Sequence, residues 1–184
     1  AYTSNYSEGL RISPDGREEI QKQTVSYGFA PLIGLNLTFN DMWGGNLTGS
    51  AKYSTKTSYD LGVATRNISE SFQKDINFTA SFSKSGFEIP LFGVSLKNDI
   101  EISLSYTSGR NSIVIYEMDD FVEEGKPQDG TTRTTIEPRI KYVISSKVTL
   151  SLFYKSTTVV PEGAARIPET STSEAGLDVH ISIQ

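Results

Sequence analysis

Between Thr132 and Tyr154 the chain states one structural rule twice. Thr134, Ile136, Pro138, Ile140 and Tyr142 fall on one side of an extended backbone, and Arg133, Thr135, Glu137, Arg139 and Lys141 fall on the other. After Ser145-Ser146 the pattern restarts, with Val148, Leu150, Leu152 and Tyr154 set against Lys147, Thr149, Ser151 and Lys155. Period two over both runs predicts a β-hairpin with one apolar and one polar face.

The same alternation recurs along the chain. Ile33, Leu35, Leu37 and Phe39 alternate with Gly34, Asn36 and Thr38, after which Trp43-Gly44-Gly45 marks a turn. Further runs carry Leu47, Gly49, Ala51 and Tyr53, then Tyr59, Leu61 and Val63, then Phe72, Ile76, Phe78, Ala80 and Phe82. Ile100, Ile102, Leu104 and Tyr106 form another run, and Leu177, Val179, Ile181 and Ile183 the last. The stretch from Ser112 to Met118 is apolar on both sides, so its register is not fixed by pattern. Residues 1–24, with Pro14-Asp15-Gly16 and a charged patch from Arg17 to Lys22, read as a loop-like extracellular lead-in, and residues 25–184 as the β segment. The count is about nine strands and no helix.

Composition excludes several function classes. With no Cys, neither a disulfide frame nor a thiolate metal site is open to the chain. A net charge of -5 and a pI near 5.0, without a basic stripe, argue against a nucleic-acid binder. No apolar run approaches the roughly 20 residues of a membrane helix. A length of 184 residues suits one domain. The first residue, Ala1, reads as the start of a processed chain or of a piece of something longer.

If the strands run up and down, the turns near Trp43, Ser69, Ser108 and Ser145 share one end and are short. The other end then receives one short turn near Lys56 and three long loops. Short turns at one end and long loops at the other are the habit of bacterial outer-membrane barrels, whose strands alternate over about ten residues. The polar faces are rich in Ser, Thr and Asn, which suits a water-lined lumen. Phe39, Trp43, Tyr53, Tyr59, Phe72, Tyr106, Tyr116, Tyr142 and Tyr154 gather near strand ends, as an interfacial aromatic girdle would. The expected fold is therefore all-β: antiparallel up-and-down transmembrane β-barrel strands in the bacterial outer membrane. An odd strand count with termini at opposite ends further suggests a C-terminal segment of a larger barrel, or a strand Val25–Phe29 merged with the next.

Phe29-Ala30-Pro31-Leu32-Ile33-Gly34, then Ile136-Glu137-Pro138-Arg139-Ile140-Lys141-Tyr142 and Val148-Thr149-Leu150-Ser151-Leu152-Phe153-Tyr154, resemble the C-terminal end of the SprA (Sov) family. The resemblance spans most of residues 27–184 in order, with Phe87 to Phe92 as the middle loop. It implies the outer-membrane translocon of the type IX secretion system, linked to surface protein export and gliding motility. Members are very large barrels that pass folded cargo. The implied partners are outer-membrane lipid, the remaining strands of the larger barrel, secreted cargo proteins, and a plug protein or small partner barrel. The chain departs from the family in being far shorter than a whole translocon, and from many outer-membrane barrels in ending on Ile183-Gln184 rather than an aromatic. Two alternatives stand beside it: a smaller outer-membrane pore or adhesin barrel, and a soluble β-sandwich binding module.

On the barrel reading, Ser50, Lys52, Asn77, Glu101, Arg133, Glu137, Arg139 and Lys141 face the lumen. Leu35, Leu37, Ile76, Phe78, Ile102, Leu104, Ile136, Ile140, Leu150 and Leu152 face lipid. Pro31 and Pro138, lacking a donor, mark a bulge, a strand end or a seam. Chemistry is sparse: His180 lies on the polar row without a nucleophile-elbow motif, so no catalysis and no cofactor are expected. Asp119, Asp120, Glu123 and Glu124 could offer carboxylates to calcium but lack the EF-hand spacing, and read as a solvated acidic loop. The triplets at Asn5, Asn36, Asn46, Asn67 and Asn77 are what Asn and Thr on one strand face produce by chance.

Overall fold

The computed structural model describes residues 1–91, 94–118, 125–162 and 168–182. Within them the chain forms one antiparallel sheet of 8 strands in the order β1 to β8, with every strand paired to its neighbours in sequence. The strands are β1 (Tyr2–Ile12), β2 (Glu18–Met42), β3 (Gly45–Gly62), β4 (Asn67–Leu91), β5 (Val94–Glu117), β6 (Lys126–Ser145), β7 (Val148–Pro161) and β8 (Thr170–Ile181). There is no helix among the described residues. The up-and-down all-β expectation is met, and the number of strands is corrected from about nine to 8.

Three boundaries account for the difference. Residues 2–12 and 18–24, expected as loop, form a hairpin in which Tyr2 pairs with Phe29, Tyr6 with Val25 and Glu8 with Gln23. Tyr2, Tyr6, Leu10 and Ile12 supply an outward row interrupted by Ser4 and Glu8, which hides the alternation. Pro14-Asp15-Gly16 is its turn: the Gly16 amide donates to the Ser13 carbonyl at 2.8 Å, and Gly16 takes φ 81. The expected turns near Lys56 and Ser108 lie inside β3 and β5, and that near Ser69 lies inside β4. Val25–Phe29 is continuous with Ile33–Phe39 in β2.

The connections still sort by length, with different members. Trp43-Gly44, residues 92–93 and Ser146-Lys147 join strands at one end, and residues 13–17, 63–66, 118–125 and 162–169 at the other. Trp43 (φ 53) and Gly44 (φ 72) both take positive φ between the paired Met42 and Gly45, the backbone of a two-residue type I′ hairpin turn.

The sheet is a single layer with two free edges. β1 touches β2 alone and β8 touches β7 alone among the described residues, so the sheet is not closed. Among the described residues no second sheet packs on it, and the buried apolar residues are Ile100 and Tyr142, which are cross-strand partners. The two prolines differ in effect. The Ala30-Pro31 bond is cis and falls where the β2–β3 register shifts between Phe29 and Ile33, a bulge. At Pro138 the β6–β7 ladder skips two residues and resumes at Arg139 opposite Phe153 in the same register, so the missing donor leaves a gap without a kink.

Candidate functional site

Unbroken pairing across eight strands makes the two faces of the sheet the feature that organises the molecule. Cross-strand partners point the same way, so register alone assigns every residue to a face. One row runs Asn36, Ser50, Thr79, Ser105 and Glu137; the next runs Gly34, Lys52, Asn77, Thr107, Thr135 and Thr157. Glu101 opposes Ser83 and Lys141, and Arg133 opposes Gly109, on this same face. The eight residues expected toward the lumen thus share one face. His180 joins them as the partner of Thr149.

The opposite face carries Leu35, Ala51, Phe78, Tyr106 and Ile136 in one row, and Phe39, Leu47, Phe82, Ile102, Ile140, Leu152 and Leu177 in another. Leu37 and Leu104 lie in the row between, Ile76 one row further up, and Leu150 opposite Tyr142. The ten residues expected toward lipid therefore share the second face, and none of the described residues packs over it. Leu35 is 57% exposed, Leu152 50% and Ile140 43%.

The polar face is hydrogen-bonded across strands. Ser50 and Thr79 hydroxyls lie 2.7 Å apart, and Thr135 and Thr157 hydroxyls 3.1 Å apart. Some of its charges are paired: Arg139 donates to Glu137 at 3.1 Å, and Lys141 approaches Glu101 at 3.8 Å. Hollows of about 400 and 380 Å³ open on this face, the first over Ser50, Thr79, Ser103 and Arg139. Hydroxyls and ion pairs of opposite sign thus alternate across this surface.

The apolar face is banded along the strands. In β4 the outward positions read Lys74, Ile76, Phe78, Ala80, Phe82, Lys84, an apolar stretch fenced by lysines. The ten steps from Lys74 to Lys84, at 3.3 Å each, span about 33 Å along the strand. β2, at 25 residues, extends well beyond that band toward the end with the longer connections, and β4 and β5, at 25 and 24 residues, extend beyond it at both ends.

Above the band, two outward clusters went unforeseen. Arg110 donates from Nε to Glu162 at 2.7 Å, Thr132 donates to the same carboxylate at 2.6 Å, and Lys74 is the direct cross-strand partner of Arg110. Further up, Glu70 accepts from Tyr59 at 3.0 Å and from Tyr116 at 2.8 Å. The signal for the first cluster was in the sequence: Lys74 interrupts an apolar row, and Arg110 continues the parity of Tyr106. Placing a turn at Ser108-Gly109 concealed it. The acidic run Asp119, Asp120, Glu123 and Glu124 lies outside the described residues, as do Phe92 and Ile183-Gln184.

The chain matches no protein-family model, and a search of curated proteins gives no match.

Proposed function

We propose that this chain is wall from a large outer-membrane β-barrel, its polar face lining a water-filled lumen and its apolar face meeting lipid. The observation that carries this reading is the uncovered apolar band on a one-layer sheet with two unpaired edges. In water such a band would be a large exposed apolar patch and an association hazard. In a bilayer it is the surface the solvent requires. Free edges cannot face hydrocarbon, because each unsatisfied backbone group costs several kcal/mol there, so further strands pair with β1, β8 and the unpaired lower part of β2. Eight strands closed alone leave room only for side chains, whereas a conducting pore needs more.

On the sequence resemblance, that barrel is a protein-conducting translocon of the type IX kind, with secreted proteins as cargo and a plug or small partner barrel as gate. Conduction is then physical rather than chemical. A hydroxyl-lined wall that carries charges of both signs, several already paired, exchanges hydrogen bonds with passing cargo without holding it. The short connections at the Trp43 end lie in the periplasm and the longer connections at the other end outside the cell.

Because the chain has no Cys, single-Cys substitutions can test the faces cleanly. In the full protein in native outer membrane, Cys at Ser50, Asn77 or Glu101 reacts with a water-soluble maleimide, and Cys at Leu35, Leu37 or Leu104 does so only after detergent. Equal aqueous labelling of both sets would sink the proposal.

A further inference from the structure

We propose that the outward surface just above the apolar band, centred on Lys74 and Arg110, holds the phosphate of a glycolipid of the outer leaflet. This rests on the membrane orientation argued above and adds a ligand site to it. Three features converge.

The first is an uncompensated charge. Lys74 and Arg110 are directly opposed on neighbouring strands, an arrangement that repels unless an anion joins it. Glu162 forms its ion pair with Arg110, at 2.6 Å from Nη2, and attracts Lys74 only from beyond ion-pair distance, no carboxylate among the described residues lying within that distance of Lys74. Two cations against one carboxylate leave one positive charge directed away from the sheet. Arg110 is held in place by Glu162 and Thr132, so it is preorganised, and its fork has further donors to offer.

The second is space. A hollow of about 310 Å³ lies there, lined by Lys74, Ile76, Ser108, Arg110, Thr132 and Glu162. Its wall changes from apolar Ile76 to hydroxyls and cations within one outward step, about 7 Å along the strand. A phosphate attached to acyl chains meets the sheet at that height.

The third is what lies above. Four residues further along β4, about 13 Å, Tyr59 and Tyr116 flank Glu70, and the rings of Tyr27 and Tyr59 lie 6.4 Å apart. Aromatic faces beside a carboxylate acceptor suit sugar rings and their hydroxyls. From the bilayer outward the face thus reads apolar, cationic, then aromatic with acceptors, the order of acyl chain, phosphate and saccharide in a phosphorylated glycolipid. A glycerophospholipid matches only the first two layers.

The test uses the full protein extracted in mild detergent, with native mass spectrometry during titration by lipopolysaccharide, dephosphorylated lipopolysaccharide, phosphatidylglycerol or inorganic phosphate. Lipopolysaccharide is expected to bind most tightly, Lys74→Glu to weaken it about ten-fold or more, and Lys74→Arg to retain it. Lys74→Arg keeps the cation and the Arg110–Glu162 contact, whereas Lys74→Glu sets a carboxylate opposite Arg110 that competes with Glu162; Lys74→Gln, which removes the charge without adding a competitor, is expected to weaken binding as well, and unchanged binding in it overturns the site. Binding unchanged in Lys74→Glu, or equal affinity for phosphatidylglycerol or the dephosphorylated glycolipid, overturns the site. Affinity for inorganic phosphate equal to that for lipopolysaccharide marks an adventitious anion site and overturns it too. A protein that inserts normally but fails these arms refutes the site alone, whereas one absent from the outer-membrane fraction refutes the orientation beneath it.

Discussion

The guanidinium carbon of Arg139 lies 5.3 Å from the centre of the Phe153 ring, its direct cross-strand partner. On its other side Phe153 pairs with Gly176, where an added Cβ would fall 2.6 Å from the ring. An aromatic side chain thus lies on the polar face because a glycine leaves it room and a cation covers it. Gly176→Val forces the ring off its seat and costs about 1–3 kcal/mol. Arg139→Ala removes a cation–π contact, worth about 0.5–1 kcal/mol, and a half-exposed ion pair with Glu137 that adds little more. Urea midpoints of the full protein check the order; a G176V protein with an unshifted midpoint contradicts it.

Leu152 and Ser151 make the strongest contrast between the faces, because they adjoin in sequence and point opposite ways. At mid-bilayer height an outward arginine costs about 2–4 kcal/mol, while an inward one meets water. Leu152→Arg is therefore expected to lower stability in bilayers by that amount, and Ser151→Arg by far less. Unfolding from lipid vesicles measures both, and similar values would reverse or abolish the assigned orientation.

Face assignment was legible in the sequence because a period of two survives any error in where a strand stops. Arg133 to Lys141 and Val148 to Tyr154 were placed without knowing the ladder. Strand ends were not legible. Ser108-Gly109 has turn composition, yet Gly109 is paired to both Asp75 and Arg133, so two flanking ladders hold it extended. Lys56 is likewise paired to Gly28 and Gln73. Local turn preference loses to hydrogen bonding on both sides, and sequence pattern does not contain that second side. The Lys74–Arg110–Glu162 cluster needs residues 52 positions apart to meet, which only register supplies.

Glu162 gives a pH dependence of defined sign. The Thr132 hydroxyl and then the Arg110 guanidinium hold its carboxyl below the usual glutamate range. A depressed folded-state pKa contributes stability that is present above the unfolded value and lost as pH falls through the folded one. The anchoring of the β7 end is thus expected to loosen in acid, read as faster amide exchange at Glu162, whose N–H donates to the Gly130 carbonyl at 2.7 Å. Glu162→Gln abolishes the pH dependence and exchanges faster at neutral pH. An exchange profile that Glu162→Gln leaves unchanged, after correction for intrinsic rates, contradicts this assignment.

Trp43 is the chain's one tryptophan, so its fluorescence reports a single height. It is 75% exposed at the tip of the β2–β3 hairpin, and its indole meets the Phe82 ring at 6.3 Å in an edge contact. Phe82 belongs to the apolar face, and Lys84 reaches past it to donate to the Trp43 carbonyl at 3.0 Å. An amphipathic ring flanked by an apolar residue and a lysine belongs at the bilayer interface. In a form of the full protein with Trp43 as its only tryptophan, quenchers attached near the lipid headgroup are expected to dim the emission strongly. Quenchers at mid-acyl depth should do so weakly. Strongest quenching at the bilayer centre would put the hairpin inside the membrane and the apolar band elsewhere; quenching by aqueous iodide alone would remove this end of the sheet from lipid altogether.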